Sequence, residues 1–151
     1  MSLIMTKQER ETFLADVHVG IISISEDGRG PLTVPIWYAC DVGDLRIMTG
    51  RESRKGRLLA RAGRFSLCVQ TETPPYEYVS VEGAITSTET ADIERDLRPL
   101  ARRYLGEKMG DRYVDRYMEE TPTHSDNVLI RMRPERWLTT DYSKEMAPCE
   151  F

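Results

Sequence analysis

The stretch DLRIMTGRESRKGRLLARAGRF, residues 44–65, constrains the chain around it. Leu45, Ile47 and Thr49 alternate as in a strand with one buried side, and Gly50 breaks the run. Ser53 suits a helix N-cap, because its hydroxyl accepts from a backbone N–H two or three residues on. Leu58, Leu59 and Ala62 then share one side, and Gly63 suits the left-handed position past a helix end. The spacing predicts strand, turn, short helix and the start of a further strand.

Charge makes this stretch unusual. Residues 46–64 hold seven basic side chains (Arg46, Arg51, Arg54, Lys55, Arg57, Arg61, Arg64) against Glu52 alone, a net +6 in a chain of net −4, so the remainder carries −10. Arg54 and Lys55 fall in the first helical turn, where cations oppose the helix dipole at a cost of roughly 0.3–1 kcal/mol each. An anion at that point reverses the sign, because free N–H groups, the dipole, a hydroxyl and two cations converge on it. The alternative is a solvated basic surface partly neutralised by Glu52.

The rest of the composition narrows the class. A chain of 151 residues with 40% hydrophobic and 30% charged content fits one globular domain spanning 1–151. An acidic pI near 5.3 and so local a basic segment argue against a nucleic-acid partner. Cys40, Cys68 and Cys149 are odd in number and far apart, and neither histidine sits near them at ligand spacing. A disulfide framework or metal centre is not expected, and reduced thiols suit a cytoplasmic protein. The sequence carries no 18-residue apolar run and no signal-peptide pattern, so no membrane association is expected. The opening Met-Ser-Leu before Met5 reads as an added leader, and residues 1–5 are set aside.

In chain order, Thr6-x-x-Glu9 forms a capping box opening a helix to Ala15. Val17–Ser25 is a strand whose near-continuous apolarity suggests burial on both faces. Residues 26–30 have turn chemistry. Pro31–Asp41 is a second strand, with Pro35 at an edge or bulge because it lacks an N–H. Strand 44–50 and the basic helix follow, then a strand over Arg64–Thr71. Tyr76–Thr86 alternates Tyr76, Tyr78, Ser80 and Glu82 against Val79 and Val81, with Gly83 marking a bulge or close approach. Ile93, Leu97, Leu100, Ala101 and Tyr104 recur at helical spacing; Pro99 predicts a kink, and Gly106 an end. A second helix covers Gly110–Glu120. Strands are expected over Asn127–Met132 and Trp137–Tyr142, with a loose tail over 145–151. Successive strands, then helices, then returning strands define a mostly β fold with α decoration, a split antiparallel β-barrel.

The block MTGRESRKGRLL, followed by RFSLCV and then VSVEG, resembles the pyridoxamine 5'-phosphate oxidase-like family of FMN-binding split barrels over roughly residues 6–142. The resemblance implies that Thr49, Ser53, Arg54 and Lys55 hold the cofactor's phosphate and ribityl chain, and that Pro35, Ile36 and Trp37 lie beside its ring. It implies FMN as cofactor, with the deazaflavin F420 as the alternative, a homodimer with the cofactor between subunits, and a small-molecule substrate. Tyr76, Tyr78 and Trp137 are candidates either for that interface or for the core. Oxidase members of the family carry arginine where this chain has Thr33, and lysine where it has Tyr38, so the resemblance implies a flavin oxidoreductase other than a true pyridoxamine phosphate oxidase. The alternative is a non-catalytic flavin, deazaflavin or haem carrier or sensor.

Flavin chemistry asks few acids and bases of the protein, and no catalytic side chain is assigned. His124 is a candidate proton donor or an exposed loop histidine. His18 reads as a core or hydrogen-bonded residue. Trp37 reads either as a cofactor stack or as packing.

Overall fold

The computed structural model describes residues 2–41, 43–121 and 126–145. Its strands are β1 (Gly20–Ile24), β2 (Leu32–Ile36), β3 (Tyr38–Asp41), β4 (Asp44–Gly50), β5 (Arg64–Gln70), β6 (Glu77–Thr90) and β7 (Asn127–Asp141). Helices α1 (Lys7–Ala15), α2 (Arg54–Ala62), α3 (Arg98–Leu105) and α4 (Glu107–Glu120) decorate them, with a π-helical turn at Ile93–Leu97 and a 3₁₀ turn at Tyr142–Glu145. All strand pairs are antiparallel, in the order β2-β1-β5-β6-β7-β4-β3.

The two edge strands, β2 and β3, are successive pieces of one run of chain. Up to Ile36 that run pairs with β1; from Tyr38 it pairs with β4. Trp37 belongs to neither ladder, and there the chain itself carries the sheet from one edge to the other. This is the split of a split barrel. The single strand expected over Pro31–Asp41 is therefore two. The local reason is visible at Tyr38, whose N–H is taken by the Tyr104 hydroxyl at 3.1 Å.

The expected strands at 127–132 and 137–142 are instead one strand, β7. Its first half pairs with β4, and it runs beside β6 throughout. The polar run Arg133-Pro134-Glu135-Arg136 hides this continuity from a periodicity reading. A register shift between Glu82 and Gly83 sets Gly83 opposite Pro134. A Cβ on Gly83 would lie 1.9 Å from the Arg133 carbonyl oxygen, so both sequence readings of this glycine hold.

Inside the barrel, Ile22, Leu45, Ile47, Leu67, Val69, Val79, Val81, Ile130 and Met132 are all but fully buried. Burial of side chains of this size contributes about 1.5–3 kcal/mol each as an upper bound. β1 is less enclosed than its composition suggests: Gly20, Ile22 and Ile24 are buried, while Ile21 and Ser23 are half-buried. Outside the barrel, Leu97, Ala101 and Val114 bury a second, smaller cluster with Trp37, Met48, Ile93 and Tyr117 against it.

The helices follow their caps. Thr6 and Glu9 form the reciprocal capping box. Ser53 caps α2, and Gly63 ends it at φ 69°. Pro99 starts α3 rather than kinking a longer helix, because the π-helical turn precedes it. α4 begins at Glu107, ahead of Gly110, where a Cβ would lie 2.7 Å from the Arg102 backbone. Arg98 ties the pair by donating to Glu94, Asp111 and Asp115.

Residues 3–5 pack against the end of β7. Met5 is buried, its N–H donates to the Thr139 hydroxyl, and the Asp141 N–H donates to the Leu3 carbonyl. Residues 146–151 lie outside the described residues. Among the described residues, no helix is long and apolar enough to cross a membrane, and no cluster of side chains could hold a metal ion.

Candidate functional site

A cavity of about 450 Å³ opens where the split edge, β4, the start of α2 and the α3–α4 pair meet. Pro35, Ile36 and Trp37 line one side, Met48 and Thr49 the β4 side, and Lys55 the end at α2. Leu97, Leu100, Tyr113, Tyr117 and Asn127 complete it. The volume lies in the range of small-molecule and cofactor sites, and so does the mix of apolar wall with a few polar groups.

Local sequence explains how the charged end is built. β4 ends at Gly50, and the Ser53 N–H returns to the Gly50 carbonyl. The Ser53 hydroxyl donates to that same carbonyl at 2.6 Å and accepts from the Gly56 N–H at 3.0 Å. Its one proton is thereby spent, so the 3.1 Å contact with the Thr49 hydroxyl has Thr49 as donor. The N–H groups of Arg54 and Lys55 remain the first donors of the helix, without an acceptor among the described residues. Gly56 permits the tight approach: a Cβ there would lie 2.1 Å from the Gly50 oxygen and 2.6 Å from the Arg51 oxygen.

The two cations of this turn separate. Lys55 lines the cavity and has no hydrogen-bond or ion-pair partner among the described residues. Arg54 turns away and donates to Glu26 at 2.6 Å across the first hairpin turn. Of the seven residues the resemblance nominated, Pro35, Ile36, Trp37, Thr49 and Lys55 therefore line one cavity. Ser53 stands behind Thr49 as the cap, and Arg54 is occupied elsewhere. Lys55 is the one charged side chain among the described lining residues.

The aromatic end is tied to the barrel split. The Trp37 indole stacks on Tyr104 and meets Tyr113 at a tilt, with centroids 5.6 Å apart. The Tyr104 hydroxyl donates its one proton to the His18 carbonyl (2.7 Å), lies 3.2 Å from the Tyr38 carbonyl, and accepts from the Tyr38 N–H. One side chain thus replaces the backbone ladder lost at Trp37. Burial raises the Tyr104 hydroxyl above its ordinary range, so it stays a neutral donor. Asn127 donates to the Tyr117 hydroxyl at 2.7 Å, and burial, with Tyr113 and Asp126 beside it, raises that phenol too.

Other sequence candidates fall elsewhere. His18 stacks on Phe13 with centroids 4.5 Å apart, the packing role expected of it. Tyr38 is fully buried and donates to the Leu14 carbonyl. Thr33 is exposed on β2. Trp137 packs against the core under Arg10, while Tyr76 is exposed. His124 lies outside the described residues. The sequence reading missed the α3–α4 and β7 contributions. Leu97 and Leu100 were legible as apolar positions at helical spacing, but that spacing does not say which apolar side chains close a cavity.

With fold and cavity in view, comparison with known families is decisive at the level of class. The profile of the pyridoxamine 5'-phosphate oxidase family matches residues 6–141, and the chain belongs to that family. Among solved structures, it is similar to a conserved hypothetical protein from Mycobacterium tuberculosis at 22% identity and TM-score 0.71, covering 99% of this chain and 92% of that one. It is similar to an F420 reductase at 21% identity and TM-score 0.67, covering 85% and 94%. An FAD- and haem-binding protein from Mycobacterium smegmatis matches at 13% identity and TM-score 0.61, covering 91% and 72%. These likenesses show the split-barrel fold. Comparison with curated proteins finds no match.

Proposed function

We propose that this protein is an oxidoreductase that binds a phosphate-bearing flavin or deazaflavin, FMN or F420, in the cavity between the barrel split and α3–α4. The observation that carries this reading is Lys55: a cation without a counter-ion among the described residues, at a helix N-terminus, facing a cavity with aromatic walls whose other described lining residues are uncharged. A ligand with one ionised end and a flat apolar body fits that division. Family membership and the F420 reductase and FAD-binding neighbours support the same chemistry.

In this reading Lys55 and the N–H groups of Arg54 and Lys55 hold the phosphate. Thr49 sits beside it, and Pro35, Ile36 and Trp37 flank the ring. When bound, the cofactor supplies hydride transfer to or from a small organic substrate. The protein's own part is to orient the ring against the strand break that Tyr104 fastens, and to exclude water with Leu97, Leu100 and Met48. Pyridoxamine phosphate oxidation itself is disfavoured: Tyr38, at the position of a family lysine, is sealed in the core.

A homodimer with the cofactor between subunits is part of the proposal. Val19 and Tyr113 line the cavity yet are 52% and 45% exposed, and a second copy would cover them. Sedimentation tests this: a dimer is expected, and a monomer at micromolar concentration contradicts it.

Steady turnover of a bound cofactor with an electron donor and acceptor separates the enzyme from a carrier. A cofactor that binds but that no donor or acceptor changes would identify a carrier.

A further inference from the structure

A second, more enclosed cavity of about 230 Å³ lies behind the first, between the outer face of β3–β4 and the π-helical turn with α3. Met48 and Leu100 form a wall common to both. The proposed cofactor site makes no use of this space. Its apolar surface comes from Ile47, Met48, Pro99, Leu100 and Leu129, and its polar surface from Cys40, Arg46, Arg95, Asp96 and Arg103.

The hydrogen-bond accounting here is incomplete in one direction. Arg103 uses its two terminal nitrogens on the carbonyls of Leu14, Ala15 and Asp16, fastening the end of α1, while its Nε–H is buried without an acceptor among the described residues. Arg46 Nε is 2.9 Å from Asp41 Oδ2, close enough for ion pairing, but it makes no aligned hydrogen bond. Asp41 is also shared with Arg131. Arg95 and Asp96 satisfy each other through two bonds. Three guanidinium groups thus share two carboxylates and Arg103 meets only backbone carbonyls, and the two buried Nε–H groups left over belong to residues lining the same cavity. Buried donors of this kind call for an acceptor.

We propose that this inner cavity binds a small organic carboxylate with a short or flat apolar body. The unsatisfied donors are acceptor-seeking and cationic, which selects an anion. The space is small and mostly apolar, which selects a monoanion carrying hydrocarbon over a fully polar, more highly charged phosphate.

Benzoate is the probe, with benzamide as its uncharged isostere, titrated by calorimetry into the full-length protein. Saturable benzoate binding is expected, with benzamide weaker by about tenfold or more. Arg46→Gln should weaken benzoate by about tenfold, while Lys55→Ala leaves it unchanged. Benzoate should also slow alkylation of Cys40 by iodoacetamide at alkaline pH, mapped by peptide mass, with Cys68 as the internal control. That readout needs no variant to fold. Absence of saturable binding, equal affinity for benzamide, an Arg46→Gln protein that binds as well as the parent, or an unprotected Cys40 would overturn the proposal. So would loss of benzoate binding in Lys55→Ala, which would place the probe in the outer cavity. FMN titration of the same samples reads the outer site separately, so failure of one assignment is distinguishable from failure of the other.

Discussion

The Trp37 indole lies flat on the ring of Tyr104, with centroids 5.0 Å apart and planes within 5°. This stack fastens helix α3 to the one residue at which the sheet's two edges part. Removing only the Tyr104 hydroxyl, by Tyr104→Phe, preserves the stack and strands the Tyr38 N–H and the His18 carbonyl. The expected loss of stability is about 1–3 kcal/mol, the cost of buried polar groups left unpaired. Urea denaturation reads it; a change within the error of the parent curve would show that the hydroxyl is dispensable.

Gly56 lies inside α2, where alanine ordinarily stabilises by about 1 kcal/mol. Here the sign reverses, because the new methyl meets the Gly50 and Arg51 carbonyls at 2.1 and 2.6 Å, and both atoms are backbone. Gly56→Ala is expected to destabilise by roughly 1–3 kcal/mol and to weaken binding at the adjacent Lys55. Thermal denaturation of the variant checks the first effect; an unchanged or higher midpoint contradicts it.

The Cys40 thiol is pushed up to about 11 from 9.0 by burial, aided by Asp41 and opposed by Arg103 and Arg46. A group whose proton is held more tightly in the fold contributes stability that is whole below the unfolded value and disappears as pH rises through the folded one. Unfolding free energy should therefore fall between about pH 9 and pH 11. Cys40→Ala should flatten that fall by at most about 3 kcal/mol. Identical slopes in parent and variant would show that the thiol does not titrate in this window.

The first helical turn of α2 separates two cations that sequence alone treats alike. Lys55→Ala is expected to weaken binding of a phosphate-bearing cofactor by roughly 1.5–3 kcal/mol. Arg54 is half-exposed and paired with Glu26, so Arg54→Ala should cost no more than about 1 kcal/mol. Equal losses in a fluorescence titration would mean that Arg54 leaves Glu26 to join the ligand.

Much of this architecture is legible in the residues. The caps at Thr6, Ser53 and Gly63, the alternation of Leu45, Ile47 and Thr49, and the bulge at Gly83 are local signals, and each is in place. What escaped was non-local. The break at Trp37 depends on Tyr104, 67 residues further along the chain by numbering, and no period in Pro31–Asp41 announces it. Continuity of β7 through Arg133–Arg136 depends on β6 lying alongside. The division of labour between Lys55 and Arg54 depends on Glu26, which belongs to a different turn. Side chains that meet only through the fold leave no spacing to read.

The most direct measurement is an equilibrium titration of the purified protein with FMN and with F420, followed by cofactor absorbance and fluorescence. One of the two should bind saturably, and Lys55→Ala should weaken it by about tenfold or more. If neither cofactor binds, or if binding is indifferent to Lys55, the cavity at the barrel split is not the cofactor site.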